Sequence, residues 1–555
     1  MTYVITGRCC ADASCVPVCP VDCIHPTPRE PQFATTEQLY IDPQACIECS
    51  ACVEACPVDA IGADDQLPSE SQRFCEINEA YYATELPPQT ALAPRRTGRL
   101  DLGGFKVAIV GSGPAGAYAA KAILEHRHAE IDVYERNFVP HGLIRYGVAP
   151  DHQDTKKIAD AFSFHDTRLH LGIEVGKHVT HDELLSFHHA VIYATGAATA
   201  RRLNIPGAEL PGSHSARDFV AWYNGEPAYA GLEFDLRTQR AVVIGNGNVA
   251  LDIARILATN PDELARTDIA DSALTALRAS EIEEVVVLGR RELDQAAYST
   301  SAFLGVASRA DIDVVMDPDA LARLERANRS CVGAEANALS SVRLDIARKA
   351  AERQPCATNR RITFRYLVTP QEILGDDHVI GVRVVRSEPI TDTERNTRAR
   401  RTEVHETIAT GLVLASLGSS GSAIPGLPFN EKTGLIPNVA GRVIDPVTHA
   451  QVAGAYVSGW IKRGATGVIG TNRACAAETV DQLLADYHAG QLSDPQRDTS
   501  ALNGFLRTRQ PDHIGNAGWS RIDSAERVAG AQQGRPRVKF TAVADLIGAA
   551  GKRSI

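Results

Sequence analysis

Two segments of the chain, 37 residues apart, carry the same cysteine pattern, and this repeat constrains the fold more than any other feature of the sequence. Cys15–Ile24 matches Cys52–Ile61, and each copy contains a Cys-Pro dipeptide, at Cys19 and at Cys56. Nine of the thirteen cysteines lie between Cys9 and Cys56. The N-terminus does not read as a signal peptide, and in a reducing compartment clustered cysteines more often hold metal than disulfides.

The second copy has the cysteine spacing of a two-cluster bacterial ferredoxin. It reads Cys46-x2-Cys49-x2-Cys52-x3-Cys56-Pro, a run in which three closely spaced thiolates bind one iron–sulfur cluster and the fourth thiolate binds the other. We therefore predict a [4Fe–4S] cluster, here called the second cluster. Its predicted ligands are Cys19, Cys46, Cys49 and Cys52.

The first copy differs at one ligand position, because Asp12 stands where the repeat expects a second cysteine. Three thiolates and a carboxylate hold the fourth, labile iron poorly. We predict that Cys9, Cys15 and Cys56 bind a [3Fe–4S] cluster, here called the first cluster, or a [4Fe–4S] cluster with Asp12 as a weak oxygen ligand. Cys10 is an alternative to Cys9, although the spacing to Asp12 and Cys15 favours Cys9. The sequence resembles the seven-iron bacterial ferredoxins over residues 1–85.

The remaining cysteines are predicted to be non-ligands. A structural zinc site could use two CxxC-like pairs, but the doubled Cys-Pro motif and the number of thiols argue against it. Cys23 aligns with Ala60 in the repeat and so has no ligand counterpart. The isolated cysteines are predicted to be small buried apolar residues: Cys75, Cys331, Cys356 and Cys475.

Acidic residues concentrate in the same segment. Residues 1–85 contain 14 Asp or Glu, 3 Arg and no Lys, which accounts for the whole net charge of −11. An acidic module repels nucleic acid and suits a basic protein partner. The sequence contains no run of about 18 apolar residues, so we predict no membrane span and a cytoplasmic location.

A dinucleotide-binding pattern begins at the apolar run 106–110. It continues through Gly111, Gly113 and Gly116 into a helical pattern, and a second apolar run ends at Glu135. We expect Gly111 to form the tight turn, Gly113 to admit a pyrophosphate and Gly116 to allow close helix–strand packing. Glu135 is expected to accept a hydrogen bond from a ribose hydroxyl.

Residues 241–250 carry a second pattern of this kind. Its three loop positions are Gly245, Gly247 and Ala250. The next apolar run, 285–288, is followed by Arg290 and Arg291 rather than by the acid of an NAD site. Two guanidinium groups suit a 2′-phosphate, with Glu292 in place to orient them, so we predict NADP rather than NAD. The alternative is that the two arginines form a solvated surface pair.

Longer motifs between about Lys106 and Leu484 resemble the adrenodoxin reductase family of ferredoxin–NADP reductases, which are built like glutathione reductase. The motifs are GSGPAG at 111–116, YER at 134–136, GLIRYGVAPDH at 142–152, GNGNVALDIARIL at 245–257, LGRR at 288–291 and GWIKRGATGVIGTN at 459–472. With the ferredoxin-like segment in front, the whole chain resembles the ferredoxin-fused reductases of mycobacteria.

The resemblance implies the cofactor-binding residues. For FAD they are Ala115, Glu135, Leu143, Val179 and Trp460, with the backbone of Gly467, Val468 and Ile469. For NADP they are Gly247, Asn248, Val249, Arg290, Arg291 and Gly467. It also places His152 and Asp252 near the flavin and nicotinamide, where they tune placement and electrostatics. The chain departs from the family at Ala302, where an acidic residue is common, which leaves the preference for NADPH over NADH open.

We predict an α/β architecture with two doubly wound nucleotide-binding domains, like glutathione reductase, and a small α+β two-cluster ferredoxin domain. The predicted boundaries are 1–85 for the ferredoxin, 86–104 for a linker, 105–205 and 411–490 for the two parts of the FAD domain, 206–410 for the NADP domain, and 491–555 for a C-terminal extension packed on the FAD domain.

The predicted activity is that of a ferredoxin–NADP(+) reductase. NADPH delivers a hydride to FAD, and single electrons then pass to the fused ferredoxin, to an external ferredoxin or to a terminal acceptor such as a cytochrome P450. The acidic module is expected to dock on a basic face of the reductase. Two alternatives stay open: the flavin half of a glutamate synthase-like complex, and a non-enzymatic redox sensor that uses the clusters as a switch.

Overall fold

The computed structural model describes residues 2–83, 100–330, 338–391 and 397–551. Most of the predicted linker, and Cys331, lie outside these ranges. We call residues 2–83 the ferredoxin module, the domain that carries Gly111 the flavin-side domain, and the domain that carries Gly245 the nucleotide-side domain.

The ferredoxin module is built from two small antiparallel strand pairs and short helices. Tyr3–Ile5 pairs with Ile61–Ala63, and Ile24–His25 pairs with Tyr40–Ile41. The helices are Ala51–Ala55 and Arg73–Tyr82, with 3-10 turns at Pro31–Ala34, Asp64–Gln66 and Ser69–Ser71. Val4 and Ile5 in the first strand are buried, so the module has a small apolar core between its two strand pairs.

The backbone repeats with the same offset as the sequence. Non-glycine residues with positive φ occur in pairs 37 residues apart: Ala11 and Glu48, Ala13 and Ser50, Asp22 and Asp59. The turn before each Cys-Pro is also the same, because Cys19 N donates to Val16 O and Cys56 N donates to Val53 O, both at 3.2 Å. The cysteine repeat is therefore a structural repeat of two equivalent loops.

The flavin-side domain contains a seven-stranded sheet. The last five strands in the order given below run parallel. In spatial order the strands are Asn438–Val439, Arg442–Ile444, Gln451–Val457, Ala190–Tyr193, Lys106–Val110, Glu130–Glu135 and Arg168–Leu171. The helices of this domain are Pro114–Leu124, Leu143–Tyr146, Gln153–Lys156, His181–Leu185, Trp460–Arg463 and Asn472–His488. Ala190–Tyr193 is buried along its whole length, as expected for a strand covered on both faces.

The nucleotide-side domain contains a six-stranded sheet that is parallel throughout. In spatial order the strands are Ser213–Ser215, Leu412–Ala415, Arg240–Ile244, Glu284–Leu288, Arg360–Arg365 and Ile312–Val315. Its helices are Ala216–Tyr223, Asn248–Ala258, Pro261–Leu264, Asp271–Arg278, Thr300–Ala307, Pro318–Ser330 and Ala338–Glu352. A separate antiparallel sheet is formed by Val368–Leu374, Gly381–Thr391 and Thr397–Ala409.

One predicted boundary needs correction. The prediction returned the chain to the FAD domain at residue 411, but Leu412–Ala415 pairs in parallel with Arg240–Ile244 in the nucleotide-side sheet. A short apolar run can join either sheet. In the structure it lies between Ser213–Ser215 and Arg240–Ile244 and pairs with both. The chain crosses between the domains at Thr199–Ala200 and Ser419–Ser420, and these two crossings pair with each other in an antiparallel manner.

The C-terminal extension packs on both domains, not only on the flavin side as predicted. Its helices are Leu502–Arg509, Asn516–Gln532 and Val543–Ala549. Glu526 forms a buried ion pair with Arg145 of the flavin-side domain at 2.5 Å. On the other side, Lys539 pairs with Asp268 of the nucleotide-side domain at 2.8 Å. Among the residues that the structure describes, no helix is long and apolar enough to cross a membrane.

Candidate active site

A cavity of about 1890 Å³ lies at the carboxyl ends of the strands of both large sheets. Both glycine-rich loops line it, from Gly111 to Ala115 and from Gly245 to Val249, and residues 6–10 of the ferredoxin module close one side. Parallel α/β sheets bind ligands at this edge, where the N-termini of the following helices point at the ligand. The cavity therefore brings together all three parts of the chain.

The first glycine loop has the backbone geometry that a dinucleotide requires. Gly111 has φ of +106°, and a Cβ there would lie 2.5 Å from the carbonyl oxygen of Ala194. A Cβ at Gly116 would lie 1.9 Å from the carbonyl oxygen of Gly111, so helix and strand pack at the distance that only glycine allows. At Gly113 the nearest atom, the Cα of Gly142, is 4.0 Å away, so this side of the loop is open to the cavity.

Glu135 lies at the end of its strand beside this loop. Its Oε2 accepts hydrogen bonds from the backbone N and the Oγ of Ser112, at 3.0 and 2.7 Å, and its Oε1 accepts from Asn137 N at 3.0 Å. These bonds fix the carboxylate at the cavity wall. Oε2 already accepts two hydrogen bonds, whereas Oε1 accepts one and has a second lone pair for the predicted bond from a ribose hydroxyl.

Most of the other predicted flavin-side residues line the cavity, namely Ala115, Leu143, Trp460, Gly467, Val468 and Ile469. Two do not. Gly116 is buried beneath the loop, as its predicted packing role requires. Val179 is 1% exposed and packs in the apolar core beside the sheet, so the structure does not place its side chain at the cavity.

The predicted nucleotide-side residues Gly245, Gly247, Asn248, Val249, Arg290, Arg291 and Ala302 all line the cavity, whereas Ala250 is buried under its loop. Arg290 and Arg291 are exposed, and neither forms an ion pair with a described residue. Glu292 does not orient them as expected, because its carboxylate binds Arg323 at 2.9 Å. Both guanidinium groups are therefore open to an anionic ligand.

His152 and Asp252 meet at the floor of the cavity around a buried arginine. Arg255 donates to Asp151 through Nε at 2.5 Å and through Nη2 at 2.9 Å, and to Asp252 Oδ1 at 2.8 Å. Burial, and then Arg255, lowers the pKa of His152, although Asp252 and Asp151 act in the opposite direction. His152 is therefore a neutral imidazole at pH 7, suited to positioning a ligand.

The electrostatic neighbours of the thiols can be compared with the two predicted ligand sets. Burial raises the pKa of Cys9 to about 11, and the neighbouring Cys56 adds to this shift. Burial also raises the pKa of Cys15, with Cys9 and Cys56 contributing. In the other group, burial raises the pKa of Cys52 to about 11, with contributions from Cys46, Cys19 and Cys49. Cys9 and Cys15 thus have Cys56 as a neighbour, and Cys52 has Cys46, Cys19 and Cys49, although Cys52 also acts on Cys15.

Two other cysteines lie next to these groups. Cys10 turns into the apolar core shared with the flavin-side domain, beside Val58 and Ala60, whereas Cys9 lies at the edge of the module's own core with Cys15. Cys23 lies beside the second group, with its Sγ 3.4 Å from the Sγ of Cys19. Within the described ranges, no three His, Cys, Asp or Glu side chains are grouped closely enough to hold a single metal ion.

Asp12 is committed to the interface between the ferredoxin module and the flavin-side domain. Its Oδ2 accepts from the hydroxyl of Tyr118 at 2.9 Å, and its Oδ1 accepts from Ser14 N at 3.0 Å. Arg473 donates to the carbonyl oxygen of Asp12 at 2.9 Å. The residue that replaces the expected cysteine is therefore a buried docking residue.

The same interface depends on a glycine of the GWIKRGATGVIGTN motif. Gly470 N donates to the carbonyl oxygen of Cys10 at 2.8 Å. A Cβ at Gly470 would lie 2.0 Å from the carbonyl group of Ala11, so only glycine allows this approach. The loop of the first cluster thus rests directly on the segment Gly467–Gly470 that lines the flavin side of the cavity.

The docking surfaces are not simply acidic against basic, as charge alone suggested. Lys157 pairs with Asp59 of the module at 2.9 Å, in the expected sense. Two pairs have the opposite sense, because Arg8 of the module binds Asp154 at 3.0 Å and Arg73 of the module binds Asp345 at 2.8 Å. The charge pairs across this interface therefore run in both senses and do not follow the net charge of the module.

The structure fits the groups that the sequence implies. Two glycine loops, each followed by an 11-residue helix, provide two places for a nucleotide pyrophosphate. Backbone N–H groups point at thiol sulfurs, from Ala11 to Cys9 at 3.4 Å and from Ala60 to Cys56 at 3.3 Å. Such N–H···S bonds stabilise the charge of cluster thiolates.

Comparison with known proteins agrees with this arrangement. Residues 105–291 match the pyridine nucleotide-disulphide oxidoreductase family, and residues 39–62 match the 4Fe-4S binding domain. A probable ferredoxin/ferredoxin–NADP reductase of Mycobacterium bovis is 46% identical, over 99% of this chain and 95% of that protein. Human mitochondrial NADPH:adrenodoxin oxidoreductase is 38% identical, over 78% of this chain and 90% of that protein.

A solved structure shows the same fold. The structure of Mycobacterium tuberculosis FprA in complex with NADPH has a TM-score of 0.74 and 40% sequence identity, and the match covers 80% of this chain and 99% of that one. The fold and the site define an FAD-dependent pyridine-nucleotide oxidoreductase joined to a ferredoxin. The chain belongs to the ferredoxin/ferredoxin–NADP reductase family. The predicted fold class, enzyme class and family are confirmed, whereas the type of the first cluster and the individual site residues stay predictions.

Proposed function

We propose that this chain uses NADPH to reduce the iron–sulfur clusters of its own N-terminal module, which then reduce an external acceptor. One observation carries this proposal: the loop of the first cluster is docked on the flavin side of the cavity, with Gly470 N bonded to Cys10 O at 2.8 Å. FAD, when bound, accepts two electrons together and releases them singly, which is the chemistry that joins NADPH to a one-electron carrier.

The residues of the flavin side bind and orient that cofactor. The open face at Gly113 and the N-terminus of helix Pro114–Leu124 accommodate a pyrophosphate, and Glu135 accepts a ribose hydroxyl. Leu143 and Trp460 line the wall, and residues 467–469 provide backbone contacts. The first-cluster loop covers this side, where Cys10 and Ala11 are buried.

The nucleotide side selects and positions NADPH. Gly247, Asn248 and Val249 hold the pyrophosphate at the start of helix Asn248–Ala258, and Arg290 and Arg291 hold the 2′-phosphate by charge-assisted hydrogen bonds. His152 and Asp252 position the nicotinamide end. Arg255 holds the Asp252 carboxylate by a hydrogen bond, and burial lowers the pKa of His152, which suits both side chains to a positioning role.

The two clusters differ in type. Asp12 supports a [3Fe–4S] first cluster, because its carboxylate already accepts hydrogen bonds from Tyr118 and Ser14 and is turned to the interface. Cys9, Cys15 and Cys56 then leave one corner of a cubane without a ligand. Cys19, Cys46, Cys49 and Cys52 supply four thiolates for a [4Fe–4S] second cluster.

The same geometry orders the electron path. The first cluster site faces the flavin side, whereas the second cluster site faces solvent: Cys49 is exposed and Ile47 is 57% exposed. Clusters held by these residues would accept electrons at the covered first loop and pass them on near residues 47–50, which are open to a partner. An external ferredoxin or a cytochrome P450-type protein is the class of acceptor that fits this exit.

The test uses anaerobically purified, FAD-loaded full-length protein. Iron analysis and electron paramagnetic resonance of the oxidised protein should show seven-iron stoichiometry with a [3Fe–4S] signal, and this signal should disappear when NADPH is added. The outcome that contradicts the proposal is NADPH-dependent bleaching of the flavin with both clusters left oxidised. That result would favour a redox-sensing role for the clusters.

A further inference from the structure

The ferredoxin module also reaches the nucleotide side of the cavity. Glu37 and Gln38 line the cavity together with Asn248, Ser299 and Arg290. The contact is specific, because Ser301 of the nucleotide-side domain donates a hydrogen bond from its Oγ to Oε1 of Gln38. Two side chains of the electron-accepting module therefore belong to the wall of the site for the electron donor.

Both side chains carry a buried polar atom that lacks a partner. Oε2 of Glu37 and Nε2 of Gln38 form no hydrogen bond with any described residue. Gln38 is only 3% exposed, so bulk water does not satisfy its amide. A buried polar group without a partner is destabilising and is rare in native proteins unless a ligand or an ordered water completes it.

The surroundings of Glu37 explain why a carboxylate is tolerated there. Burial raises the pKa of Glu37, whereas the side chains of Ser299, Asn248 and Arg343 act to lower it. Ala302, in the first turn of helix Thr300–Ala307, presents only a methyl group to the same wall. Glu37 is therefore the carboxylate that this part of the wall offers to a ligand.

The position of the two unpaired atoms indicates what they bind. Asn248 begins the helix that follows the second glycine loop, and Arg290 follows the next strand, so the ribose and phosphates of the adenosine half pass between them. A carboxylate oxygen accepts from ribose hydroxyls, and an amide N–H donates to phosphate oxygens. An acceptor and a donor side by side match this ribose–phosphate segment.

We infer that Glu37 and Gln38 are ligands of the bound nucleotide: Glu37 accepts a hydrogen bond from a hydroxyl of the adenosine ribose, and Gln38 donates one to a phosphate oxygen. This inference rests on the proposed function, because it requires NADPH in this cavity. It makes the docked ferredoxin module part of the NADPH site, so that donor affinity depends on the presence of the first electron acceptor.

The test measures NADP(+) binding to the oxidised full-length protein by isothermal titration calorimetry, which needs no turnover. We expect Glu37→Ala to raise the Kd by about tenfold, the loss typical of a hydrogen bond to a charged group. Gln38→Ala should raise it by about fivefold, and the isosteric Glu37→Gln by less than Glu37→Ala. Glu79→Ala, an exposed glutamate of the same module, is the matched control and should bind like the wild type.

A second ligand locates the contact. The probe 2′,5′-ADP lacks the nicotinamide half, so the fold-changes at Glu37 should persist with it. An unchanged Kd for NADP(+) in Glu37→Ala, or a lower one, would overturn the inference, as would an effect seen with NADP(+) but absent with 2′,5′-ADP. If the wild type binds neither ligand, the proposed function itself fails, so the two failures are distinguishable. Flavin and iron content and thermal unfolding verify that each variant is folded.

Discussion

The two copies of the cysteine repeat have the same backbone but opposite surroundings. Cys10 and Asp12 in the first copy are 2% and 5% exposed, whereas the equivalent Ile47 is 57% exposed and the equivalent Cys49 is also exposed. The fold of each loop is set locally by its thiols and its positive-φ residues. Its role depends on what covers it: the first loop is an internal junction with the reductase, and the second is open to an external partner.

Removal of one predicted cluster ligand from each copy should give the largest difference in cluster reduction by NADPH. Cys15→Ala should abolish the first cluster and so stop NADPH from reducing the second, because the covered loop is the point of entry. Cys49→Ala should remove one of the four predicted ligands of the second cluster. NADPH should still reduce the first cluster in this variant. Iron analysis and electron paramagnetic resonance after anaerobic addition of NADPH measure both effects.

Cys75→Ala is the control for this pair, since Cys75 is predicted to be a non-ligand outside the repeat. It should keep both clusters. Reduction of the second cluster at the wild-type rate in Cys15→Ala would show that the two copies are not arranged in series.

The next prediction tests the junction itself. Gly470→Ala places a Cβ 2.0 Å from the carbonyl group of Ala11, so the covered loop has to move away. Misfit of this kind costs about 1–3 kcal/mol, and we expect NADPH-driven cluster reduction to slow by about 10- to 100-fold. Stopped-flow absorbance follows the clusters, and bound flavin is quantified in parallel.

The control for this variant is Gly504→Ala, because a Cβ at Gly504 meets nothing within 4 Å. Its cluster reduction should match the wild type. If the two alanine variants behave alike, close contact at Gly470 is not what couples the module to the flavin side.

A smaller effect is expected from the buried polar contact. Tyr118→Phe removes the hydroxyl that donates to Asp12 Oδ2 at 2.9 Å and leaves this buried oxygen with only the Arg473 guanidinium, 4.0 Å away. We expect the free energy of unfolding to fall by about 1.5–3 kcal/mol, measured by urea denaturation. Tyr487→Phe is the control, since the hydroxyl of Tyr487 bonds to no described residue. A loss no greater than that of Tyr487→Phe would contradict the assignment of Asp12 as a docking residue.

The smallest effect is expected at the exposed rim of the same junction. Lys157→Ala removes the ion pair between Lys157 and Asp59. Their side chains are 46% and 68% exposed, respectively. Exposed pairs contribute about 0.2–1 kcal/mol and are weakened by salt, so cluster reduction should change by less than about fivefold. An effect as large as that of Gly470→Ala would mean that charge, rather than close packing, holds the module in place.

Sequence reasoning is most informative where function depends on short spacings. The thiol spacing, the two glycine loops and the arginine pair each lie within a dozen residues, and their local geometry follows from residue type. It failed where the decisive partner is distant, because Tyr118 and Arg473 meet Asp12 across 106 and 461 residues. In the sequence, Asp12 could be recognised only as a missing cysteine, since no neighbouring residue predicts its contact with the flavin-side domain.

The same limit explains the other misses. Leu412–Ala415 is a short apolar run that could extend either sheet, and only the assembled sheets show which edge is free. Glu37 and Gln38 carry no motif, and they enter the site only because the module folds back over it. The resemblance implied Val179 as a flavin-side residue, and its side chain lies in the apolar core beside the sheet.

The paired crossings at 199–200 and 419–420 have a mechanical consequence. Two short antiparallel crossings define a single axis about which two bodies could rotate. The C-terminal extension joins the two bodies. Its Glu526 pairs with Arg145 of the flavin-side domain, and its Lys539 pairs with Asp268 of the nucleotide-side domain. Rotation would expose and separate these buried charges at high cost. Two further buried pairs, Arg255–Asp151 and Lys156–Asp268, join the two bodies directly. An effector that unlocks rotation would therefore have to break these pairs as well as the contacts of the extension.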